Sequence, residues 1–179
     1  AERVFGSVAI REGYEVGDHG AQSLFRVGVR LQLTEVESHP DGTFDIVAVG
    51  RDRIQLEELQ RNGEFPVGQV TVLPEAAYDV PEELIDQARV TFSAYRVVVG
   101  QFANDPFTGQ LPTDPVYLSW ALAAAAPLPL SQRQELLEAP DPAERLILVT
   151  DLLRTELRAM NVITSLPATE VARTRWSPN

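Results

Sequence analysis

The stretch FRVGVRLQLT, residues 25–34, decides the fold class of the first half of the chain. Apolar phenylalanine, valine and leucine alternate there with arginine, glycine, glutamine and threonine. Because successive side chains of a strand point to opposite faces, this period of two predicts a strand with one buried and one solvent-exposed face. The alternation slips at Glu35-Val36, which predicts a β-bulge.

Turn signals divide the residues around this strand into further strands. His39-Pro40-Asp41-Gly42 predicts a tight turn, because proline presets φ and glycine accepts a positive φ. The turn joins the first strand to a second at 44–49, which Gly50 is expected to kink before the strand continues through 51–56. A last strand is predicted at 67–73. Gly6, inside the apolar run 4–10, predicts a bulge or a close approach of the backbone.

After Pro74 the apolar period changes to three and four residues, which is typical of amphipathic helices. Four capping sequences, beginning at Asp79, Asp114, Ser131 and Asp141, predict helix starts. The two longest apolar stripes are Ile85, Ala88, Phe92, Tyr95 and Val99, and then Leu146, Val149, Leu153, Leu157 and Met160. The pattern therefore predicts an α+β protein: a β-rich part at 1–76, a helical part at 77–166 and a polar tail at 167–179.

Composition excludes several kinds of chemistry. The chain has 15 basic residues, all of them arginine, and contains neither lysine nor cysteine. A P-loop lysine, a Ser–Lys dyad, a Schiff base, a thiol nucleophile and a sulfur-ligated zinc site are therefore ruled out. The net charge of −11 disfavours nucleic acid as a partner. No leader or membrane span is found, so a cytoplasmic location is expected.

Titratable residues give little sign of catalysis. His19 and His39 are isolated in predicted loops, where a lone histidine is usually solvated. The pairs Glu57-Glu58 and Glu82-Glu83 are adjacent in sequence, so on a helix their side chains would diverge by about 100° and could not share a proton. We therefore predict no catalytic residue, no metal site and no cofactor.

Two sets of residues are candidate binding sites. Arginines on the predicted strands are expected to form a patch for an anionic ligand, or simply to pair with Glu35, Glu37 or Asp45; they are Arg26, Arg30, Arg51 and Arg53. Aromatic residues near a predicted cleft between sheet and helices offer an apolar surface for polypeptide, or else fill the core between the two halves. They are Phe102, Phe107, Tyr117 and Trp120.

The order of these motifs resembles a known family. The stretch LSQRQELLE at 130–138, the AERL at 143–146 and the LLRTEL at 152–157 are similar to the "KQ-x-LLE", "ERL" and long helix of the LON substrate-binding domain. This is the N-terminal domain of ATP-dependent Lon proteases, which also occurs as a free-standing protein. In the first half, the Asp41-Gly42 turn and the strand that ends at Gly50 with Arg51 and Arg53 behind it match the family's "DG" turn and "V-x-G-x-R-R" end.

The resemblance implies a PUA-like, mostly antiparallel β-barrel or folded sheet followed by a helical bundle, in a bacterial, proteolysis-related protein. It also implies that the domain recognises unfolded or hydrophobic polypeptide and serves a separate ATPase or protease. The family's Leu/Pro-rich first strand and "PLHIFE-x-R-Y" segment are absent, so N-terminal strands are expected to be missing. An incomplete sheet would have an edge strand with unpaired main-chain groups, and a homodimer through this edge is expected.

Three functions therefore remain open from the sequence. The first is a non-catalytic polypeptide-binding or adaptor module. The second is an RNA-binding PUA-like module, which the acidic composition disfavours. The third is a hydrolase that uses two convergent carboxylates in a pocket.

Overall fold

The computed structural model describes residues 3–12, 23–60, 65–75, 79–101 and 109–162. The chain divides into two compact units, residues 1–75 and 76–179. The separate tail expected at 167–179 and the loop residues Phe102, Phe107 and His19 lie outside the described residues. No helix in the described part of the chain is long and apolar enough to cross a membrane.

The first unit is built from antiparallel strands, which confirms the β-rich first half. The described strands are β1 (Val4–Ser7), β2 (Ile10–Glu12), β3 (Ser23–Leu24), β4 (Val27–Ser38), β5 (Phe44–Gln60) and β6 (Val67–Leu73). They form a four-stranded sheet in the order β1-β4-β5-β6 and a separate β2-β3 pair.

The β4–β5 hairpin confirms the predicted turn and bulge. Gly42 has a φ of 87° and donates its N–H to the carbonyl of His39 at 3.0 Å. The register shifts between Leu33 and Glu35, as the break in alternation predicted. Strand β5 continues past Gly50 to Gln60, and a second register shift, between Arg30 and Leu31, lies beside Gly50, where a kink was predicted.

The expected burial of one face of β4 is wrong. Val27, Val29 and Leu31 are only half-buried, whereas Gly28 is buried. The reason is a close backbone crossing: a Cβ on Gly28 would lie 2.3 Å from the carbonyl oxygen of Ser7. The apolar run 4–10 is thus two strands rather than one, and the chain crosses over Gly28 between them.

The second unit contains four described helices, α1 (Glu82–Val99), α2 (Pro115–Ala125), α3 (Leu130–Glu138) and α4 (Pro142–Val162). Two predicted caps are confirmed. The Asp114 carboxylate accepts from the Tyr117 N–H at 3.1 Å, and the Asp141 carboxylate accepts from the Glu144 N–H at 2.9 Å. Each satisfies a backbone donor that the first helical turn leaves free.

The other two predicted caps are wrong. Helix α1 begins after Pro81 rather than after Asp79, and α3 begins after Pro129, so that Ser131 lies inside the first turn. Neither helix has a side-chain cap. Proline just before the helix fixes φ near the required value and needs no N–H partner, so the start is set without a capping hydroxyl or carboxylate.

The helices share one buried core, and α4 packs against the other three. Most residues of both predicted apolar stripes are in this core, including Ala88, Phe92, Leu146, Val149 and Leu153, each no more than 1% exposed. This core holds most of the buried apolar side chains among the described residues.

Candidate functional site

An apolar groove of about 760 Å³ lies in the sheet unit. This volume is in the range of sites that bind drug-sized ligands or peptide side chains, about 300–1,000 Å³. Its most buried lining residues are Ile54 and Leu56 of β5, 2% and 5% exposed. Val4, Phe65 and Val70 line it from strands and segments on either side.

The strand register explains why these residues share one face. Ile54 pairs with Gly28 of β4, Leu56 pairs with Val70 of β6, and Gly6 of β1 pairs with Arg30 of β4. Directly paired residues of neighbouring strands point to the same side of the sheet. The four strands therefore contribute one continuous face, and its central part is the groove.

Glycines keep the groove open. A Cβ on Gly68 would lie 3.0 Å from Cδ1 of Leu56, and one on Gly6 would lie 3.2 Å from Cδ1 of Ile54. Both positions border the most buried apolar side chains, where any larger residue would occupy groove volume. The hydrogen of glycine thus leaves room above Leu56 and Ile54.

The rim of the groove is apolar and exposed. Phe65 is 68% exposed, Val67 is 52%, Val4 is 45% and Val70 is 42%. Large contiguous apolar surfaces are uncommon on monomers and usually mark an interaction site. The shape and chemistry of the groove suit an apolar segment of another molecule.

The four arginines of the predicted anion patch do not all lie on one face of the sheet. Arg53 is the neighbour of Asp52 on β5, and Asp52 pairs with Arg30. Arg30 and Arg53 therefore lie on opposite faces of the sheet. Arg53 is buried and lies 3.3 Å from the Glu75 carboxylate.

Each of the other three arginines already has a partner. The Arg30 Nε donates to the Asp52 carboxylate at 2.8 Å, and the Arg51 Nε donates to the Gln32 amide oxygen at 2.7 Å. Arg26 donates to the main-chain carbonyls of Leu56 and Glu57. These partners differ from Glu35, Glu37 and Asp45, which the sequence suggested. Binding of an anion at these residues stays a prediction.

The predicted aromatic surface can be followed only on α2. Tyr117 is 68% exposed, whereas Trp120 is half-buried. The Trp120 ring lies 3.5 Å from the guanidinium carbon of Arg145. The two residues therefore differ in environment, and their role in polypeptide binding stays a prediction.

Arg145 explains why Trp120 is held in place. Its side chain is fully buried, and it donates to the Leu136 carbonyl at 3.2 Å and to the Ser119 hydroxyl at 3.0 Å. A buried guanidinium requires such partners, and an aromatic face adds a cation–π contact. Trp120 and Arg145 thus join α2, α3 and α4.

A second, polar cavity of about 520 Å³ borders the groove and contains both acids of the Glu57-Glu58 pair. These acids lie on β5 at a register shift, not on a helix. Both are exposed, beside Arg11 and Arg26. A hydrolase that uses two carboxylates needs them to converge in a pocket with different environments, whereas this cavity is open to solvent.

Two further titratable residues, His39 and Asp41, belong to the β4–β5 turn. His39 Nε2 lies 2.9 Å from the Asp45 carboxylate. Hydrogen bonds from the hydroxyl and main-chain N–H of Thr43 lower the pKa of Asp41. Nowhere in the described ranges do three histidine or acidic side chains come close enough to hold a metal ion.

The groove was not among the sites predicted from the sequence. The apolar residues of the first half were expected to be strand cores, and the polypeptide-binding surface was expected at aromatic residues of the second half. The glycines were the available signal: Gly6, Gly28 and Gly68 recur on paired strands, and glycine inside a strand often marks a close approach or open space for a ligand.

A comparison with protein-family models matches residues 1–155 to the ATP-dependent protease La (LON) substrate-binding domain. The chain is 27% identical to Lon protease of Escherichia coli K12 over 146 residues, which are 80% of this chain and 19% of that protein. It is 28% identical to Lon protease of Elusimicrobium minutum over 167 residues, 87% of this chain and 19% of that protein. The chain thus spans about a fifth of the length of these relatives.

Solved structures show the same fold. The crystal structure of a Lon N-terminal domain protein from Xanthomonas campestris matches with a TM-score of 0.53 and 19% identity, over 84% of this chain and 88% of that one. The N-terminal domain of a Mycobacterium avium complex Lon protease matches with the same TM-score and identity, over 86% and 90%. The antiparallel sheet and the helices described above are therefore those of a Lon N-terminal domain.

Proposed function

The chain belongs to the family of LON substrate-binding domains, and from this premise we propose that it is a non-catalytic module that binds polypeptide in the apolar groove of its sheet unit. The observation that carries the proposal is the groove itself, with buried Ile54 and Leu56 beneath an exposed rim that includes Phe65 and Val70. An unfolded segment supplies the apolar side chains that such a rim can cover.

The charges near the groove favour polypeptide over a phosphate-bearing partner. Arg30 is the one charged residue that lines the groove within the described part of the chain, and Asp52 neutralises it. Nucleic acid is bound through several unneutralised cations. The RNA-binding alternative therefore has no observation in its favour.

The proposal extends to the fold type, the absence of catalysis, the partners and the oligomeric state. The sheet is proposed to be PUA-like and the helices to form a bundle, as the family resemblance implies. The absence of catalysis is supported by the match to a substrate-binding domain and by a sequence without lysine or cysteine. The partners are proposed to be unfolded or hydrophobic polypeptides and an ATPase or protease, on the same chain or another. A homodimer through a sheet edge is a further proposal.

Binding of a permanently unfolded protein tests the function. Reduced and carboxymethylated α-lactalbumin, labelled with a fluorophore, is titrated with the chain and followed by anisotropy. Val70→Lys places an ammonium group on the exposed rim of the groove, where bound polypeptide would cover it. Burial of an unpaired charge is costly, so we expect binding to weaken by about tenfold or more. Val90→Lys is the matched control, because Val90 is an exposed valine, 69% accessible, on α1 of the other unit.

Three outcomes are informative. Weaker binding by Val70→Lys with unchanged binding by Val90→Lys supports the groove. Equal binding by both variants places the site elsewhere, and Tyr117→Ser then tests the aromatic prediction. No binding of the unfolded protein by the parent chain contradicts the proposed function.

A further inference from the structure

The four-stranded sheet has an open edge beside the groove. In the described residues β6 pairs with β5 on one side and with no strand on the other. A strand at a sheet edge presents main-chain N–H and C=O groups that can pair with another chain. Strand β6 runs for seven residues, from Val67 to Leu73, and carries no charged side chain.

A single hydrogen bond determines which main-chain groups of β6 point outward. The Leu56 N–H donates to the Arg26 carbonyl at 2.7 Å, so the main-chain groups of Leu56 face away from β6. Antiparallel pairs alternate between hydrogen-bonded and non-hydrogen-bonded. The pair Leu56–Val70 is therefore a non-hydrogen-bonded one, and the N–H and C=O of Val70 point to the open edge.

The two-residue period extends this assignment along β6. The main-chain groups of Gly68 and Val72 point outward with those of Val70, whereas those of Gln69 and Thr71 point toward β5. The outward-facing residues are also those whose positions face the groove: Gly68 and Val70 line it, and Val72 pairs with Ile54. Apolar lining and free main-chain groups thus coincide at the same residues.

This coincidence specifies the conformation of a ligand. A chain laid along β6 as an additional strand would satisfy the outward main-chain groups. The residues of the added strand that lie directly opposite Gly68, Val70 and Val72 would direct their side chains into the groove, since directly opposed residues share a face. Main-chain bonds then supply affinity independent of sequence, and the groove selects every second side chain.

We propose that β6 captures polypeptide by strand addition: an extended segment pairs with the open edge and places alternate apolar side chains in the groove. The inference rests on the proposed function and adds its binding mode. The sheet unit, residues 1–75, has 7 arginines against 13 acidic residues, so the intervening positions of the segment are expected to favour arginine or lysine over acidic residues.

Backbone methylation of a synthetic ligand tests the mode directly. The probe is a seven-residue peptide with valine at alternate positions and arginine or threonine between them. Two versions are N-methylated, one at the valines and the other at the intervening residues. Strand addition uses one set of amides, so we expect one version to lose about tenfold or more in affinity and the other to bind nearly as the parent peptide does.

Amide hydrogen exchange, resolved by NMR, gives the matching readout on the protein. In the free chain the amides of Gln69 and Thr71 are expected to be protected by β5, while those of Val70 and Val72 exchange rapidly. The peptide is expected to slow exchange at Val70 and Val72 by at least tenfold. The protein is unaltered, so misfolding of a variant cannot account for the result.

The outcomes separate this inference from the function on which it rests. Peptide binding with equal loss in both methylated versions, or with no change at Val70 and Val72, contradicts strand addition and leaves polypeptide binding intact. Failure of both the peptide and the unfolded protein to bind contradicts the proposed function as well. Protection of Val70 and Val72 in the free chain, whether by a second copy or by another part of the same polypeptide, would mean that the edge is already occupied and would also overturn the inference.

Discussion

The two units differ in how far their apolar side chains are buried. In the described helices and adjoining segments, a cluster that includes Phe92, Leu118 and Leu153 is almost completely excluded from solvent. In the described sheet unit, Ile54 and Leu56 are the buried apolar residues, and eleven of the sixteen exposed large apolar side chains lie there. The sheet unit is nevertheless the shorter of the two.

This difference indicates where stability resides, and it is the basis for proposing recognition at the sheet unit. Burial of apolar area is the main favourable term in folding, so the helical unit has its own source of stability. The sheet keeps its apolar groove uncovered, and its hydrogen-bonded ladders hold that surface in shape. A surface that costs stability in isolation is retained where it serves an interaction.

The largest expected effect compares two apolar truncations. Leu153→Ala removes a fully buried side chain from the helical core and is expected to lower the free energy of unfolding by about 3–5 kcal/mol. Phe44→Ala removes a side chain that is 63% exposed on the sheet and should change it by only about 0.5 kcal/mol. Urea denaturation followed by circular dichroism measures both. Similar losses would contradict the contrast between the units.

The next comparison concerns arginine. Arg145→Met leaves the carbonyl of Leu136 and the Trp120 ring without the guanidinium, and we expect a loss of about 3 kcal/mol. The counterpart in the sheet is Arg51→Met, which breaks an exposed bond to Gln32 and should cost less than about 1 kcal/mol. The midpoints of chemical denaturation give both values. If Arg145→Met lowers the free energy of unfolding no more than Arg51→Met does, Arg145 does not join the helices.

Helix capping provides a smaller, sharper test within the helical unit. Asp114→Ala removes an observed cap and should cost about 1 kcal/mol. Ser131→Ala is the control, because this serine makes no capping hydrogen bond and its loss should be close to neutral. Thermal unfolding of the two variants ranks them. A larger loss of stability for Ser131→Ala than for Asp114→Ala would support the cap that the sequence predicted at Ser131.

The smallest effect is a pH dependence in the sheet unit. Hydrogen bonds from Thr43 lower the pKa of Asp41 in the folded chain. The turn is therefore favoured above the unfolded pKa of Asp41, about 4, and this contribution is lost as the pH falls through the lower folded value. NMR titration of the Thr43 amide should show the change below about pH 4. Asp41→Asn should abolish it, and persistence of the titration in that variant would assign it to another group.

Local signals in the sequence predicted much of the fold. The strand at β4, the Asp41-Gly42 turn and the apolar stripe through Phe92 each depend on neighbouring residues, and each was confirmed. The burial of one face of β4 depends on the chain that crosses it, and that prediction was wrong. Caps were predicted less well. Aspartate followed by proline gave the correct start at Asp114, whereas at Ser131 the preceding proline fixed the helix start and left the serine within the helix.

The groove could not be predicted in the same way, because it depends on pairing between distant strands. Gly68 opens space above Leu56, and Gly28 allows the chain at Ser7 to cross it. Each contact joins residues far apart in the sequence, and the register that creates them is not encoded in any one segment. The sequence indicated glycines within strands. The sheet topology was needed to show that Gly68 leaves space above Leu56 and that Gly28 allows the chain to cross.

Photo-crosslinking gives the most direct test of the claim that the sheet groove binds polypeptide. Phe65 on the groove rim and Tyr117 on α2 are both aromatic and both 68% exposed. Each is replaced in turn by benzoylphenylalanine, and the chain is irradiated with labelled, reduced and carboxymethylated α-lactalbumin. We predict a strong adduct from position 65 and little from position 117; an adduct mainly from position 117, or equal yields from both, would contradict the account.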